Sequence, residues 1–391
     1  MRAFRLAAGV SVLVLHLWVV TTADALDLGE WIPGLKLSPF FSERVVYDSN
    51  VFQVPSNAQS DVIFKTIPGF VADYTFGPHS ISLGYRAEIL NYVTLTNQDT
   101  VNHIGVAQLR LEYPKLLFNL RDDFVRTSDP PNTELTGPIE SNTNVLATEA
   151  EYRLTSRLAA GINYSWTHVN FDNQQVADDL DRNEQLVGAS LFWKILPRAD
   201  LRFNYDYGIK IFRFQEDRNI TRQLFIVAVR GDLTAKLSST FRIGFEHRHP
   251  DSSFQPGYNG PIMSGDFVYR VTDGTTITLV ADRSVQESTF GTVPFYVTTS
   301  GALGIQQRIW RKLTANLRIA GGVNNYPTKQ ELDGLNTWRR DTFYAGGGGL
   351  EYEIKPWLSV GGEYVHIVRN SNFPSFDFKQ DKISGRITFQ F

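Results

Sequence analysis

Apolar and polar residues alternate with a period of two along most of this chain. In 201–211 one set holds Leu201, Phe203, Tyr205, Tyr207, Ile209 and Ile211; the other holds Arg202, Asn204, Asp206, Gly208 and Lys210. A helix would scatter both sets around its circumference, whereas a strand sends them to opposite faces. The alternation returns in 158–167, 241–248, 313–319 and 382–391. Each of these segments predicts a strand with one apolar face.

The connections set the architecture. Short turns fall near Gly77-Pro78, Pro114-Lys115, Thr155-Ser156, Leu196-Pro197, Lys236-Leu237, Asp273-Gly274, Trp310-Arg311 and Lys355-Pro356. Longer polar links lie between them, at 48–60, 93–100, 128–142, 172–183, 213–221, 249–263, 286–294, 327–339 and 371–377. Short and long links alternate throughout, as periplasmic turns and extracellular loops do in outer-membrane barrels. The rhythm predicts an all-β, antiparallel up-and-down barrel of about 18 strands, with both ends on the periplasmic side.

The face that meets water follows from size. A barrel of about 18 strands is too wide to fill with its own side chains, so the apolar rows face lipid and the polar rows line a wet lumen. Trp193, Trp310, Trp357, Tyr113 and Tyr152 stand beside short turns, where an interfacial aromatic girdle belongs. The last strand pattern ends on Phe389 and Phe391. This resembles the terminal signal by which barrel-assembly machinery recognises its clients.

The N-terminus reads as an address. Arg2 and Arg5 precede an apolar run over 6–20, and Ala23-Asp24-Ala25 fits a small-x-small cleavage site; together these predict a secretory signal peptide over 1–25. A short periplasmic segment, 26–34, then leads into a barrel over 35–391. The leader removes two arginines and one aspartate, moving the formal charge from −3 to about −4, too mild to suggest a nucleic-acid partner. With no cysteine in the chain, disulfides, thiolate metal sites and cysteine nucleophiles are excluded.

The opening of the barrel region carries a recognisable motif. Pro39, Tyr47-Asp48-Ser49-Asn50-Val51-Phe52, Ser60-Asp61 and Pro68-Gly69 resemble the start of the putative β-barrel porin type-2 family. That resemblance implies an outer-membrane barrel in a Gram-negative bacterium. It also implies a part in exopolysaccharide export, with periplasmic polysaccharide-export components as partners beside outer-membrane lipid.

Candidate chemistry sits on the polar rows. The predicted pore lining comprises Arg86, Glu88, Arg110, Glu112, Arg121, Asp123, Glu149, Glu151, Arg153, Arg202, Asn204, Asp206 and Lys210, then Arg230, Arg242, Glu246, Arg270, Asp282, Arg318, Glu351, Glu363 and Arg386. Both signs are represented, so no ion preference follows, and cross-strand pairing accounts for part of the set. The acidic run 178–184 lacks the glycine turn of a calcium loop and reads as a solvated external loop. His247-x-His249 lacks a third metal ligand. Gly346 to Gly349 lack the Lys-Ser/Thr of a phosphate loop and precede a strand pattern. His103, His168 and His366 fall in no catalytic motif. The expectation is a channel without enzymatic activity, cofactor or metal, passing a polar solute, with exopolysaccharide favoured by the resemblance. A small-solute porin and a closed docking barrel are the alternatives.

Overall fold

Strict alternation leaves the backbone one economical solution in a membrane. Every amide must bond within the protein, and a sheet achieves this without edges only by closing on itself. The computed structural model describes residues 26–27, 32–130, 134, 136–289 and 293–391. The signal peptide expected over 1–25 lies outside the described residues.

A two-residue strand, β1 (Leu26–Asp27), pairs with the start of the barrel at Lys36 and Leu37. The barrel itself runs from β2 to β19. Its first half comprises β2 (Leu35–Asp48), β3 (Asp61–Phe76), β4 (His79–Tyr92), β5 (Thr100–Glu112), β6 (Leu116–Thr127), β7 (Ser141–Arg153), β8 (Leu158–Phe171), β9 (Arg182–Leu196) and β10 (Ala199–Phe212). The second comprises β11 (Ile220–Asp232), β12 (Leu237–Pro250), β13 (Tyr258–Thr272), β14 (Thr275–Glu287), β15 (Phe295–Arg308), β16 (Leu313–Leu332), β17 (Leu335–Lys355), β18 (Leu358–Ser371) and β19 (Phe378–Gln390). Each pairs antiparallel with its sequence neighbours. β19 closes the ring on β2, with Lys382 opposite Asp48 and Gln390 opposite Phe40. This is the 18-stranded barrel that the alternation predicts.

Burial fixes which face is which. On β10, Ile211 is 50% exposed, whereas Lys210 beside it is 5% exposed. Phe203, Tyr205, Tyr207 and Ile209 are likewise exposed on the outer, lipid-facing row. The five girdle residues Trp193, Trp310, Trp357, Tyr113 and Tyr152 are all exposed near the short turns. Phe389 and Phe391 join this belt by stacking on Trp357, at centroid separations of 6.3 and 6.2 Å.

Three expected links differ in detail. The polar stretch 327–339 is mostly ladder: β16 and β17 continue to Leu332 and Leu335 and turn on Asp333-Gly334. Both turn residues have positive φ, 54° and 73°, the conformation a tight hairpin demands. The charged residues that suggest a loop are strand residues rising above the membrane. The link 249–263 shrinks for a similar reason, because Arg248 still ladders with Tyr258 and His247 with Asn259. The acidic run 178–184 is not a free loop. Asp178 and Asp179 belong to a short helix, α1 (Gln174–Leu180), capped by Asn173 Oδ1 accepting from the Val176 amide (3.2 Å). Leu180, Asp181 and Glu184 are buried, because α1 folds against β8 and Glu184 turns into the barrel.

Candidate functional site: a charged lumen beneath a bridged mouth

Residues directly opposite one another in an antiparallel ladder share a face, so the register carries one inner row around the barrel. Every predicted pore-lining residue lies on that row. The period of two also lets partners sit two residues apart on one strand. Arg86 pairs with Glu88 at 2.9 Å, Arg110 with Glu112 at 3.0 Å and Arg121 with Asp123 at 2.5 Å. Others pair across strands: Arg202 with Glu149 at 2.6 Å, and Arg230 with Glu151 and Asp200 at 3.6 and 3.7 Å. Arg386 pairs with Glu351, and Glu363 takes Arg44 at 2.9 Å.

The remaining members have other partners, or none among the described residues. Asp206 accepts from the amides of Asn163 (2.9 Å) and Asn204. Arg242 donates to Ser264 Oγ at 3.0 Å, and Asp282 accepts from Ser284 at 2.6 Å. Arg153 reaches a turn carbonyl, Pro114 O, at 3.1 Å. Glu246 is buried, while Arg270 and Arg318 are exposed on the inner row. Most wall pairs retain partial exposure, as expected of a polar wall around water.

The extracellular mouth is built differently. The β14–β15 loop tucks inward, leaving Ser288, Val293, Phe295 and Tyr296 almost wholly buried. Arg218, in the β10–β11 loop, clasps it by donating to Ser288 O (2.8 Å) and Pro294 O (2.9 Å), and it also donates to Asp179 O (2.8 Å). Beneath it, Glu287 receives Lys210 and a forked pair of bonds from Arg248 at 2.7 and 2.8 Å. Glu184 holds Lys210 (3.2 Å) and Arg182 (2.8 Å) from the neighbouring wall.

One loop residue reaches across the opening. Glu134 lies in the β6–β7 connection, yet it accepts from Ser288 Oγ (2.9 Å), the Thr289 amide (2.7 Å) and Thr289 Oγ1 (3.1 Å). The two connections stand eight strands apart on an 18-strand ring, nearly opposite. Farther round, Arg339 Nη1 approaches the same carboxylate at 3.6 Å, and Arg369 donates to Glu134 O at 3.5 Å. Arg339 is wholly buried: it forks onto Asp341 at 2.6–3.0 Å and lies over the rings of Phe376 and Tyr326. Burial pushes the Glu134 carboxyl above the usual carboxylate range, against the pull of Arg339.

Sequence reasoning missed Glu134, Glu287, Arg218, Arg339, Asp341 and Arg369. They occupy loops and strand ends, where the face a residue takes depends on which loop folds over it. The sequence offers the long links 128–142 and 249–263 alike as segments able to fold across the lumen, and only the first reaches over.

A closed barrel with a lipid-facing apolar wall, an aromatic girdle and a charged lumen defines an outer-membrane porin-type channel. The chain belongs to the family described as putative beta-barrel porin 2, whose model matches residues 29–391. No curated protein matches it. Among solved structures it is similar to the outer membrane protein OpdK from Pseudomonas aeruginosa, at 12% identity and a TM-score of 0.49, covering 91% of this chain and 99% of that one. OpdQ from the same organism gives 11%, 0.49, 93% and 99%. OccAB3 of Acinetobacter baumannii gives 12%, 0.47, 91% and 99%.

Proposed function

We propose that this barrel passes small polar solutes by diffusion through a lumen whose extracellular mouth is divided by the β6–β7 loop. The observation that carries this reading is Glu134, anchored across the opening on the β14–β15 loop and beside Arg339. In this reading compact solutes pass beside the anchored segment, while a polymer is obstructed by it. Below it, arginines, carboxylates and amides of the inner row replace part of a solute's hydration by hydrogen bonds without covalent chemistry.

The exopolysaccharide cargo implied by the family resemblance is the alternative, and no feature of the mouth favours it. Single-channel recording in planar bilayers separates the two. We expect a stable, modest conductance that neutral sugars block only below a size limit, and that rises roughly twofold or more when 130–138 is deleted. Block of the intact channel by long polysaccharide fragments would favour the exporter. Silence in both intact and deleted forms would favour a closed docking barrel.

A further inference from the structure

One lipid-facing position breaks the apolar outer row at mid-wall. The nine strands that rise from the periplasmic side are β2, β4, β6 and the even-numbered strands after them. Six residues above its first residue, each places a side chain on the outer row at similar height. Eight of these are aromatic or aliphatic, among them Phe41, Tyr85, Tyr205, Ile243 and Ile319. On β6 the residue is Asp122. Register fixes its face: it stands between Ala107 and Leu146, in line with the exposed Leu116 and Phe124. Leu116 lies opposite Tyr152 of the girdle. Six residues of tilted strand therefore raise Asp122 about 15 Å into an apolar band about 25 Å tall.

Lipid tails offer a carboxyl group no hydrogen-bond partner, and polar groups at that depth are costly. Within the chain, Asn144 Nδ2 donates to Asp122 Oδ1 at 3.0 Å, while Oδ2 has no partner among the described residues. The same amide nitrogen stands 3.5 Å from Asp123 O, so its second N–H lacks a good acceptor. Two other ionisable side chains on the outer row are relieved locally. Glu43 sits two residues above Phe41, which packs on Phe389 of the lower belt, and accepts from Thr66 (2.8 Å). Arg283 reaches toward the extracellular edge, donating to Pro261 O (3.1 Å) and Thr299 Oγ1 (2.6 Å). Above Asp122 the polar surface continues through Asn144 and His168 to Arg126 and Asn142. On its β5 side stand Gly105 and Ala107, which leave the wall shallow there.

We propose that this face of β5, β6 and β7 joins two copies of the chain about a two-fold axis along the membrane normal. All copies insert in one orientation, so the residues that meet across such an axis have equal heights. Asp122 and Asn144 then complement themselves. The free N–H of Asn144 donates to Oδ2 of the partner's Asp122, and the partner's Asn144 returns the bond. Each carboxyl group gains a second donor, and each amide gains a second acceptor. The small side chains of Gly105 and Ala107 let the two walls approach. Arg283 of another copy would also complement Asp122 in charge. It lies on β14, eight strands from β6 on an 18-strand ring, so that head-to-tail contact would not close a small assembly.

The chain has no cysteine, so single cysteines report contacts cleanly, and a disulfide between identical positions requires a two-fold contact. The test oxidises the barrel in lipid vesicles with one cysteine at a time. Ala107→Cys or Leu146→Cys, flanking Asp122, should give a linked dimer. Ile319→Cys, at the same height on β16, should give none. Adding Asp122→Leu to the linking variant should lower the yield at least about fivefold, with single-channel conductance unchanged. Leucine suits a lipid-facing position, so that variant should still assemble. If it does not, native mass spectrometry of the unsubstituted protein decides, and a dimer is expected. A monomer, equal linking at 107, 146 and 319, linking at none of them, or a yield indifferent to Asp122→Leu would each overturn the proposal.

Discussion

The wall and the mouth use the same side chains in different surroundings. Arg386–Glu351 and Arg44–Glu363 retain between a quarter and two-fifths of their side-chain exposure, whereas Arg339, Asp341 and Glu134 keep essentially none. A half-wet pair gains little from Coulomb attraction, because water screens it and ordering two long chains costs entropy. A buried pair is costly to bring together and far more costly to break. The wall is therefore tolerant of change, and the mouth is committed to one arrangement.

The largest expected contrast comes from deleting one arginine in each region. Arg339→Ala leaves Asp341 and Glu134 without their buried cation and should destabilise the docked mouth by about 3–5 kcal/mol. Arg386→Ala should cost at most about 1 kcal/mol. Urea unfolding from lipid vesicles, read at a fluorophore in the β14–β15 loop, checks both; equal costs would erase the distinction. The double variant Arg339→Ala with Glu134→Ala should recover part of the loss, because fewer charges are stranded. No recovery would mean that Arg339 acts through its packing on Phe376 and Tyr326.

Salt gives a smaller contrast. Raising ionic strength from about 0.1 to 1 M shortens the screening length from about 10 to 3 Å. It should shift the residual effect of Arg386→Ala toward zero and leave that of Arg339→Ala nearly unchanged. The smallest effect is on pH. The Glu134 carboxyl is raised by burial, so the docked loop holds its proton longer than the free loop does. Docking should be complete below the ordinary carboxylate pKa and weaken as pH rises through the raised value. Open-channel noise at the mouth should then grow as pH rises through that raised value, and Glu134→Gln should flatten the dependence.

The wall was legible in the sequence because alternation is a local property. Once Tyr205 and Ile209 face lipid, Asn204 and Lys210 have nowhere to go but inward. The mouth was not, since Glu134 and Ser288 are 154 positions apart and meet only because the ring brings opposite loops within reach. Charge pattern misled at 327–339, where Lys329 and Glu331 read as a loop while their backbones still ladder. Glu287 shows the limit of parity. It follows Gln286 on β14 and would face outward by simple alternation, yet the tucked loop buries it against Lys210 and Arg248.

The closing junction has a consequence for how the chain could be rewired. β19 meets β2 through the same ladder that joins every other pair, reinforced by Ser42 with Thr388 (3.0 Å) and Asp48 with Gln380 (2.8 Å). Its partners stand more than 330 positions apart, so they are the slowest contacts to find in a chain that zips from its hairpins. Geometrically, however, the ring has no beginning. A circular permutant joined from Phe391 to Leu35 and cut between Thr234 and Lys236 would turn that slow junction into an ordinary hairpin and move the delay to β11 and β12.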